Sequence, residues 1–413
     1  MIHISHAADA TPRGLDTHNA QLRSPAVDAA VAGVLESCVS QGEYRGADVI
    51  VKPNVFMPHA PATTDPRVVA GIIAWLLDVG AERITVCEES SISTHVGRRS
   101  NTTEALEHTG YLTLVESFES SRVRVALMRD EGTVTKTVEG GLCLREVEYP
   151  KLLADAERLI NVPILKFHLQ TLLTNAVKNT WCGASQLQRA TNHCWGLGSA
   201  LLDIHAIRPP DVTVVDALQP LTRDHSYGDP LDWRLVMAGT DSIALDALGA
   251  WMLGFDDPTE IETVRHGLKM GMGEADLEKI EISGVAREDL PRAEKPEVPA
   301  LPAEFGTLSI DWQCGPEVGP GCVAYLTAGL RSLAEKAPDD LGTWQIFVGE
   351  APTEPDELAD RCVFVGACSM DGQVFRNVQR RLYLAGRADD LTCIPSCPPM
   401  ALRTEIMSIV GLD

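Results

Sequence analysis

Residues 47–90 constrain the fold more than any other stretch, because they spell out strand, helix and strand in quick succession. ADVIVKPN reads as a buried strand that leaves into a loop at Lys52-Pro53-Asn54. DPRVVAGIIAWLLDVGA (65–81) then reads as a helix, with Asp65 suited to the N-cap, Pro66 to the first turn and Gly80 to the stop. ERITVCEES is the next strand and ends in Glu88, Glu89 and Ser90. Two strands joined through a helix run parallel, since only a long crossover brings the chain back in the same direction.

The pattern recurs in ERLINVPIL (157–165), DVTVVDAL (211–218) and RLVMAG (234–239), each an apolar run leading into a polar loop. The expected fold is therefore α/β, a parallel or mixed sheet flanked by helices. Open sheets of this kind bind ligands beyond the carboxyl ends of their strands, so the loops holding Lys52, Glu88, Lys166, His168 and Asp216 are candidates for one cleft. PRAEKPEVPALP (291–302) carries four prolines and mixed charges, which suits a linker. It divides an expected main domain, 1–290, from a smaller cysteine-rich α/β domain, 303–413, whose strands are TWQIFVG, RCVFVGAC and LTCIPSC.

With 58 acidic against 35 basic residues the net charge is −23, a field that repels phosphate backbones and anionic lipid. Nucleic acid and membrane are poor partners on this ground. No run approaches 18 unbroken apolar residues, and the first residues, MIHISHAADATPRG, lack the basic and apolar stretches of a secretory signal, so the expectation is a cytoplasmic protein. Eleven cysteines are many for a reducing compartment, which leaves core thiols, metal ligands or reactive thiols. Cys38, Cys87 and Cys143 lie in apolar runs and read as core. Six others, Cys314, Cys322, Cys362, Cys368, Cys393 and Cys397, crowd into the last hundred residues.

Three residues of the main domain are candidates for chemistry: Lys52, His168 and Lys178. A histidine titrates near neutrality and can pass a proton. Lys178 follows TLLTNAV, an apolar stretch that would desolvate its ammonium and lower its pKa, which suits a base or a Schiff-base nucleophile. The plain alternative is a lysine that reaches solvent or pairs with an acid. Asp241 suits the N-cap of SIALDALGAWML, whereas Asp246 inside that apolar helix needs a partner, for which Lys52 or Lys178 is available. His193 beside Cys194 could ligate a metal or cap a turn, and Gly196 and Gly198 could let backbone approach a ligand.

VIVKPNVF, TDPRVVAGIIAWLLDVGA, LINVPILKFHLQTLLTNAVKNTWCG, PPDVTVVDALQ and MAGTDSIALDALGAWMLGF together resemble the domain of unknown function family 362, over about residues 45–285. That resemblance implies association with iron–sulfur proteins and supplies no reaction. More remotely, the stretch from Lys166 to His193 is similar to the lactate racemase family, with His168, Lys178 and His193 at matching positions. There the lysine tethers a nickel-pincer cofactor. The glycine-rich surroundings of that lysine are absent from NAVKNTWCG.

DWQCGPEVGPGC, FVGACSMDGQ and CIPSCPP resemble the cluster-binding segments of nickel–iron hydrogenase small subunits and the related complex I subunit. The resemblance implies a 4Fe-4S cluster held by Cys314, Cys322, Cys368 and Cys397. Seven residues separate the first pair here rather than two, and Ser396 replaces a glycine. Glycine and proline around these thiols permit the turns that aim sulfur at a cluster. Zinc in a four-cysteine site, or thiols with no metal, are the alternatives. The leading functional expectation is an iron–sulfur oxidoreductase acting on a small, possibly anionic, substrate in anaerobic metabolism, with a ferredoxin or reductase as redox partner. An electron carrier without its own substrate and a racemase-like isomerase with a structural cluster are the rivals.

Overall fold

The computed structural model describes residues 1–8, 10, 22–55, 57, 59–89, 102–194, 196–223, 225, 228–297, 304–315, 318, 322–323, 325–327, 329–330, 333, 341–349 and 352–394. It separates into two compact units, Met1–Ala190 with Gly198–Pro296 and Thr191–Leu197 with Glu297–Asp413. The change between Pro296 and Glu297 falls inside the proline-rich stretch. The division is not a linear one, however, because the short segment Thr191–Leu197 groups with the second unit.

The strands of the first unit are β1 (Ile2–His6), β2 (Asp48–Pro53), β3 (Arg83–Glu88), β4 (Val123–Leu127), β5 (Thr133–Thr137), β6 (Glu146–Pro150), β7 (Arg158–Val162), β8 (Ile164–His168), β9 (Leu172–Thr174), β10 (Val212–Thr222), β11 (Asp229–Pro230), β12 (Leu235–Gly239) and β13 (Ile282–Gly284). The main sheet runs β13-β1-β12-β10-β7-β2-β3-β4. β10, β7, β2, β3 and β4 pair in parallel, and β12 lies antiparallel between β10 and β1, so the sheet is mixed. β5 and β6 form a separate antiparallel ribbon.

The central strands are buried on both faces, which is why they read as unbroken apolar runs rather than alternating ones. One face is covered by helices Pro25–Cys38 and Pro66–Val79, packed through Val31, Val34 and Leu35 against Ile72, Ile73 and Leu76. Asp65 caps the second of these by accepting from the Arg67 N–H at 2.9 Å, and Gly80 ends it at φ 85°, as the sequence predicts. Gly71 lets the two helices approach, since a Cβ there would lie 3.0 Å from the Val31 Cβ.

The run 157–165 is broken where the sequence suggests one strand. Pro163 has no N–H to give the ladder, so β7 stops at Val162 and β8 starts at Ile164. The Pro163 carbonyl still accepts from the Asp216 N–H at 2.8 Å. β8 then pairs with β10 and turns back into β9, with Lys166 opposite Thr174 and His168 opposite Leu172.

The second unit carries β14 (Glu304–Phe305), β15 (Leu308–Cys314), β16 (Thr343–Val348), β17 (Arg361–Val365) and β18 (Leu391–Ile394), ordered as in the chain. β15 to β18 are all parallel. Ile310, Leu326, Leu330, Ile346 and Val363 form one core cluster. Phe347, Phe364, Val378 and Leu382 form another, with the two phenylalanine rings stacked at 4.1 Å. This is the smaller α/β sheet expected from the sequence. No helix among the described residues is long and apolar enough to cross a membrane.

Cys87 is buried as expected, but Cys143 is exposed and Cys38 only half-buried. Cys143 sits in a loop between β5 and β6 whose N–H groups at Leu142, Cys143 and Leu144 all donate to buried Asp203, at 2.7–2.8 Å. That anchoring fixes the backbone while leaving the thiol outside.

Candidate functional site

The carboxyl ends of adjacent strands β2 and β3 place Lys52 beside Glu88. The Lys52 Nζ and Glu88 Oε2 are 2.9 Å apart, with the side chains 5% and 6% exposed. Lys52 also donates to the Pro53 carbonyl at 2.6 Å and to Asn179 Oδ1 at 3.1 Å. Glu88 accepts from the Val55 and Glu89 N–H groups at 2.8 and 2.9 Å. Burial works against the Lys52 charge, but its acidic neighbours Cys182 and Glu88 outweigh it and raise its pKa above the ordinary lysine value.

Asn179 is the knot of the network. Its amide donates to the Lys52 carbonyl at 3.2 Å and to Asn161 Oδ1 at 2.8 Å, and its oxygen also accepts from Asn54 at 3.0 Å. Asn54 in turn accepts from Lys166 Nζ at 3.1 Å, and Lys166 donates to the Ala62 carbonyl at 2.6 Å. The ends of β2, β3, β7 and β8 are thus tied into one polar cluster beneath the loops that follow them.

Lys178 lies on the single helical turn Ala176–Asn179 beside that knot. The turn is pinned from helix Ser242–Met252. Asp246 accepts from the Ala176 N–H at 2.7 Å and the Val177 N–H at 3.4 Å, and Asn175 donates to the Leu245 carbonyl at 2.9 Å. The sequence offered Lys52 or Lys178 as partners for Asp246. Instead the carboxyl serves the turn's orphan N–H groups. Burial outweighs those bonds and pushes the Asp246 carboxyl up to about 8.

The Lys178 ammonium is half-buried and has no hydrogen-bond or ion-pair partner among the described residues. Burial, reinforced by the charges of Arg189 and Lys52, lowers it to about 8. Arg189, on helix Gln186–Cys194, is buried, and burial lowers its own pKa. Cys182 follows Lys178 by one turn, donates to the Asn179 carbonyl at 3.6 Å, and is raised by burial to about 11. Glu89 pairs with Arg129 at 3.0 Å at the margin of the same group.

His168 ends β8, two residues past Lys166 and on the same strand face. Its Nδ1 accepts from the Gln170 and Thr171 N–H groups at 3.1 and 3.2 Å, and its ring lies 4.2 Å from that of His225. In the neutral ring the proton therefore sits on Nε2. The structure joins Lys52 and Lys178 around Asn179, whereas His168 engages its own hairpin and His225. Sequence reasoning named Glu88 and Lys166 only as cleft residues, and missed Asn54, Asn179, Cys182 and Arg189. The available signal was the run of polar residues inside NAVKNTWCG, an otherwise buried segment. Gly198 makes its close approach to Glu262 rather than to a ligand, since a Cβ there would lie 2.2 Å from that carboxyl carbon. The side chains of His193 and Cys194 lie outside the described residues.

A separate cleft of about 240 Å³ opens at the amino ends of β2, β3 and β4, lined by Asp48, Arg83, Arg124, Glu131, Lys151 and Asp155 among others. Its acids and bases are matched, with Arg83 on Asp48 and Arg124 on Glu131. It holds none of the site residues above.

In the second unit, Cys314 is the last residue of β15 and Cys368 stands two residues beyond Gly366, directly after β17. Both are partly exposed at the carboxyl ends of a parallel sheet. Cys322 is buried against Leu326 and Leu330. Cys362 and Cys393 lie within β17 and β18. Cys397 lies outside the described residues. Among the described residues no three His, Cys, Asp or Glu side chains are gathered as a metal ion would require. The soft thiols of Cys314 and Cys368, at the end of β15 and after β17 with β16 between them, are the kind of donor an iron–sulfur cluster takes.

Residues 49–251 match a protein-family model. The family is described as Domain of unknown function (DUF362). The matched residues include the whole Lys52–Glu88–Asn179 network and both Lys178 and Arg189. The thylakoid-associated protein sll1697 of Synechocystis is 23% identical over 256 residues, which cover 59% of this chain and 75% of that protein. The lactate racemase apoprotein from Thermoanaerobacterium thermosaccharolyticum aligns with a TM-score of 0.34 and 16% identity. That alignment covers 52% of each chain, so this protein spans about half of the racemase structure.

Proposed function

We propose that the DUF362 region binds a small carboxylate-bearing substrate at the carboxyl ends of β2, β3 and β8 and moves a proton there. The observation that carries the reading is the Lys178 ammonium, unmatched by any acid among the described residues and bordered by Lys52 and Arg189. In a protein of net charge −23, two cations acting on one half-buried amine favour an anion beside it. Lys52 keeps its charge because Glu88 fixes it, and its field together with that of Arg189 lowers the Lys178 pKa. Lys178, near 8, is the group that exchanges a proton at neutral pH. His168, with its proton on Nε2, is the second proton carrier on this sheet edge.

A 4Fe-4S cluster on Cys314, Cys322, Cys368 and Cys397 belongs to the same proposal, making the protein an oxidoreductase served by a ferredoxin or reductase. When bound, that group would supply single electrons. The support is the donor chemistry at the ends of β15 and β17 and the order of the cysteine phrases.

Two measurements test the two halves. Calorimetric titration with two- to four-carbon carboxylates and inorganic phosphate is expected to show saturable binding, weakened about tenfold or more by Arg189→Gln, since a charge-assisted hydrogen bond contributes about 1.5–3 kcal/mol. Absence of saturable binding for every anion would sink the substrate reading. Anaerobic preparation should yield about four irons and four acid-labile sulfides per chain, most of which Cys368→Ser loses and Cys38→Ser keeps. Stoichiometric zinc without sulfide would remove the cluster.

A further inference from the structure

We propose that helix Gln373–Leu384 and the acidic loop beside it form a self-complementary face, through which two copies of this chain pair about a two-fold axis. The face lies wholly in the second unit and is independent of the lysine site of the first.

The sequence sets this helix apart. Between Asp371 and Asp389 the chain carries four arginines and no Asp or Glu, in a protein with 58 acidic residues. Two of the four are engaged inside the unit. Arg381 donates to the Pro355 carbonyl at 2.7 Å, and Arg387 donates to Asp390 at 2.8 Å and to the Ala359 carbonyl at 2.6 Å. The other two, Arg376 and Arg380, are exposed. Among the described residues Arg376 reaches only the Gln373 side-chain oxygen, at 3.5 Å, and Arg380 has no hydrogen bond or ion pair.

The helix buries Val378 and Leu382 in the core with Phe347 and Phe364. Helical spacing gathers Arg376, Arg380, Tyr383 and Leu384 on the other side. Tyr383 and Leu384 are 73% and 72% exposed. An adjoining pair of large apolar side chains with arginines around it has the composition of an interface centre.

Along one flank of the helix runs the loop 354–360, tied down by Arg381 and by the Asn377 amide, which donates to Glu354 Oε2 at 2.7 Å. Asp356 and Glu357 on that loop are exposed, and their carboxylates have no ion pair among the described residues. One face therefore carries free cations on the helix and free anions beside them.

This mixture selects the partner. Nucleic acid, or a uniformly acidic protein, would meet Asp356 and Glu357 as well as the arginines. A second copy rotated by half a turn brings its own Asp356 and Glu357 onto Arg376 and Arg380, and receives the same contacts in return. The tyrosine and leucine of both copies leave water in that contact. The net charge of −23 on each copy acts over distance. At physiological salt, charges more than about 8 Å apart are screened, so the pairs at contact decide.

Sedimentation velocity of the full chain at physiological salt, from micromolar to millimolar concentration, should show a reversible monomer–dimer equilibrium. Arg380→Glu and Leu384→Ser should each raise the dissociation constant about tenfold or more, because a few central residues carry most of an interface's affinity. Both side chains are exposed, so the fold should persist, and circular dichroism of the same samples checks it. Combining Arg380→Glu with Asp356→Lys and Glu357→Lys reverses the pairing charges and should restore the dimer. A chain that stays monomeric at every concentration overturns the proposal, the face then serving a different partner. Dimers that survive both Arg380→Glu and Leu384→Ser form through another surface and overturn it as well. A loss in Arg380→Glu that the reversed charges fail to restore overturns the pairing of helix with acidic loop.

Discussion

Glu88→Ala should cost about 3–5 kcal/mol of stability, because it strands a buried ammonium. Lys52 is 4% exposed, and without Glu88 it keeps only the Pro53 carbonyl and the Asn179 oxygen. Lys52→Met should cost less, because the Glu88 carboxylate still accepts from the Val55 and Glu89 N–H groups. Lys52→Met with Glu88→Leu, which removes both charges, should recover much of the loss. The measurement is a double-mutant cycle by urea unfolding, read as the free energy of the first transition. If the two single costs simply add in the double variant, the pair is not coupled and the network around Asn179 is misread.

The second expectation has the opposite sign. Lys178→Met should stabilise the fold while abolishing carboxylate binding. Holding an unmatched ammonium in a partly dry, cationic setting is unfavourable, and methionine fills similar space without the charge. The gain should be about 1–2 kcal/mol at pH 7, less than the full pKa shift implies because solvent reaches part of the amine. Its pH dependence follows from the direction of that shift. The folded value, about 8, lies below the unfolded lysine value, so between them the unfolded chain binds more protons. Wild-type stability therefore rises across that window, and the advantage of the methionine variant should shrink from pH 8 upward. Thermal unfolding of both proteins at pH 7 and pH 10 measures this. A methionine variant less stable than the wild type at pH 7 would mean that the amine has a partner and is a structural group. Stability sacrificed at one residue is what a binding group looks like energetically.

The architecture was legible from local chemistry. The βαβ unit at residues 47–90 could be read because Asp65, Pro66 and Gly80 act through neighbours a few residues away, and because strands buried on both faces must be apolar throughout. Lys52 and Glu88 could be placed at one sheet edge for the same reason, each closing its strand. Cys143 defeated the same logic: an apolar run suggested a core thiol, and only Asp203, sixty residues on, holds that loop so that the thiol stays outside.

What the sequence determined by itself was the α/β class, the sheet edge where charged residues collect, and the placing of Cys368 at a strand end. What only the tertiary structure decided was who partners whom. Asp246 caps the turn of Lys178 instead of pairing with a lysine, Asn179 ties the ends of β2 and β7 together, and Lys178 is left without an acid among the described residues. Strand and helix signals are periodic and short in range, so a chain displays them openly. A hydrogen-bond partner is chosen by which groups meet across a sheet edge, and residues such as Lys52 and Asn179, 127 apart in the chain, carry no local sign that they will touch.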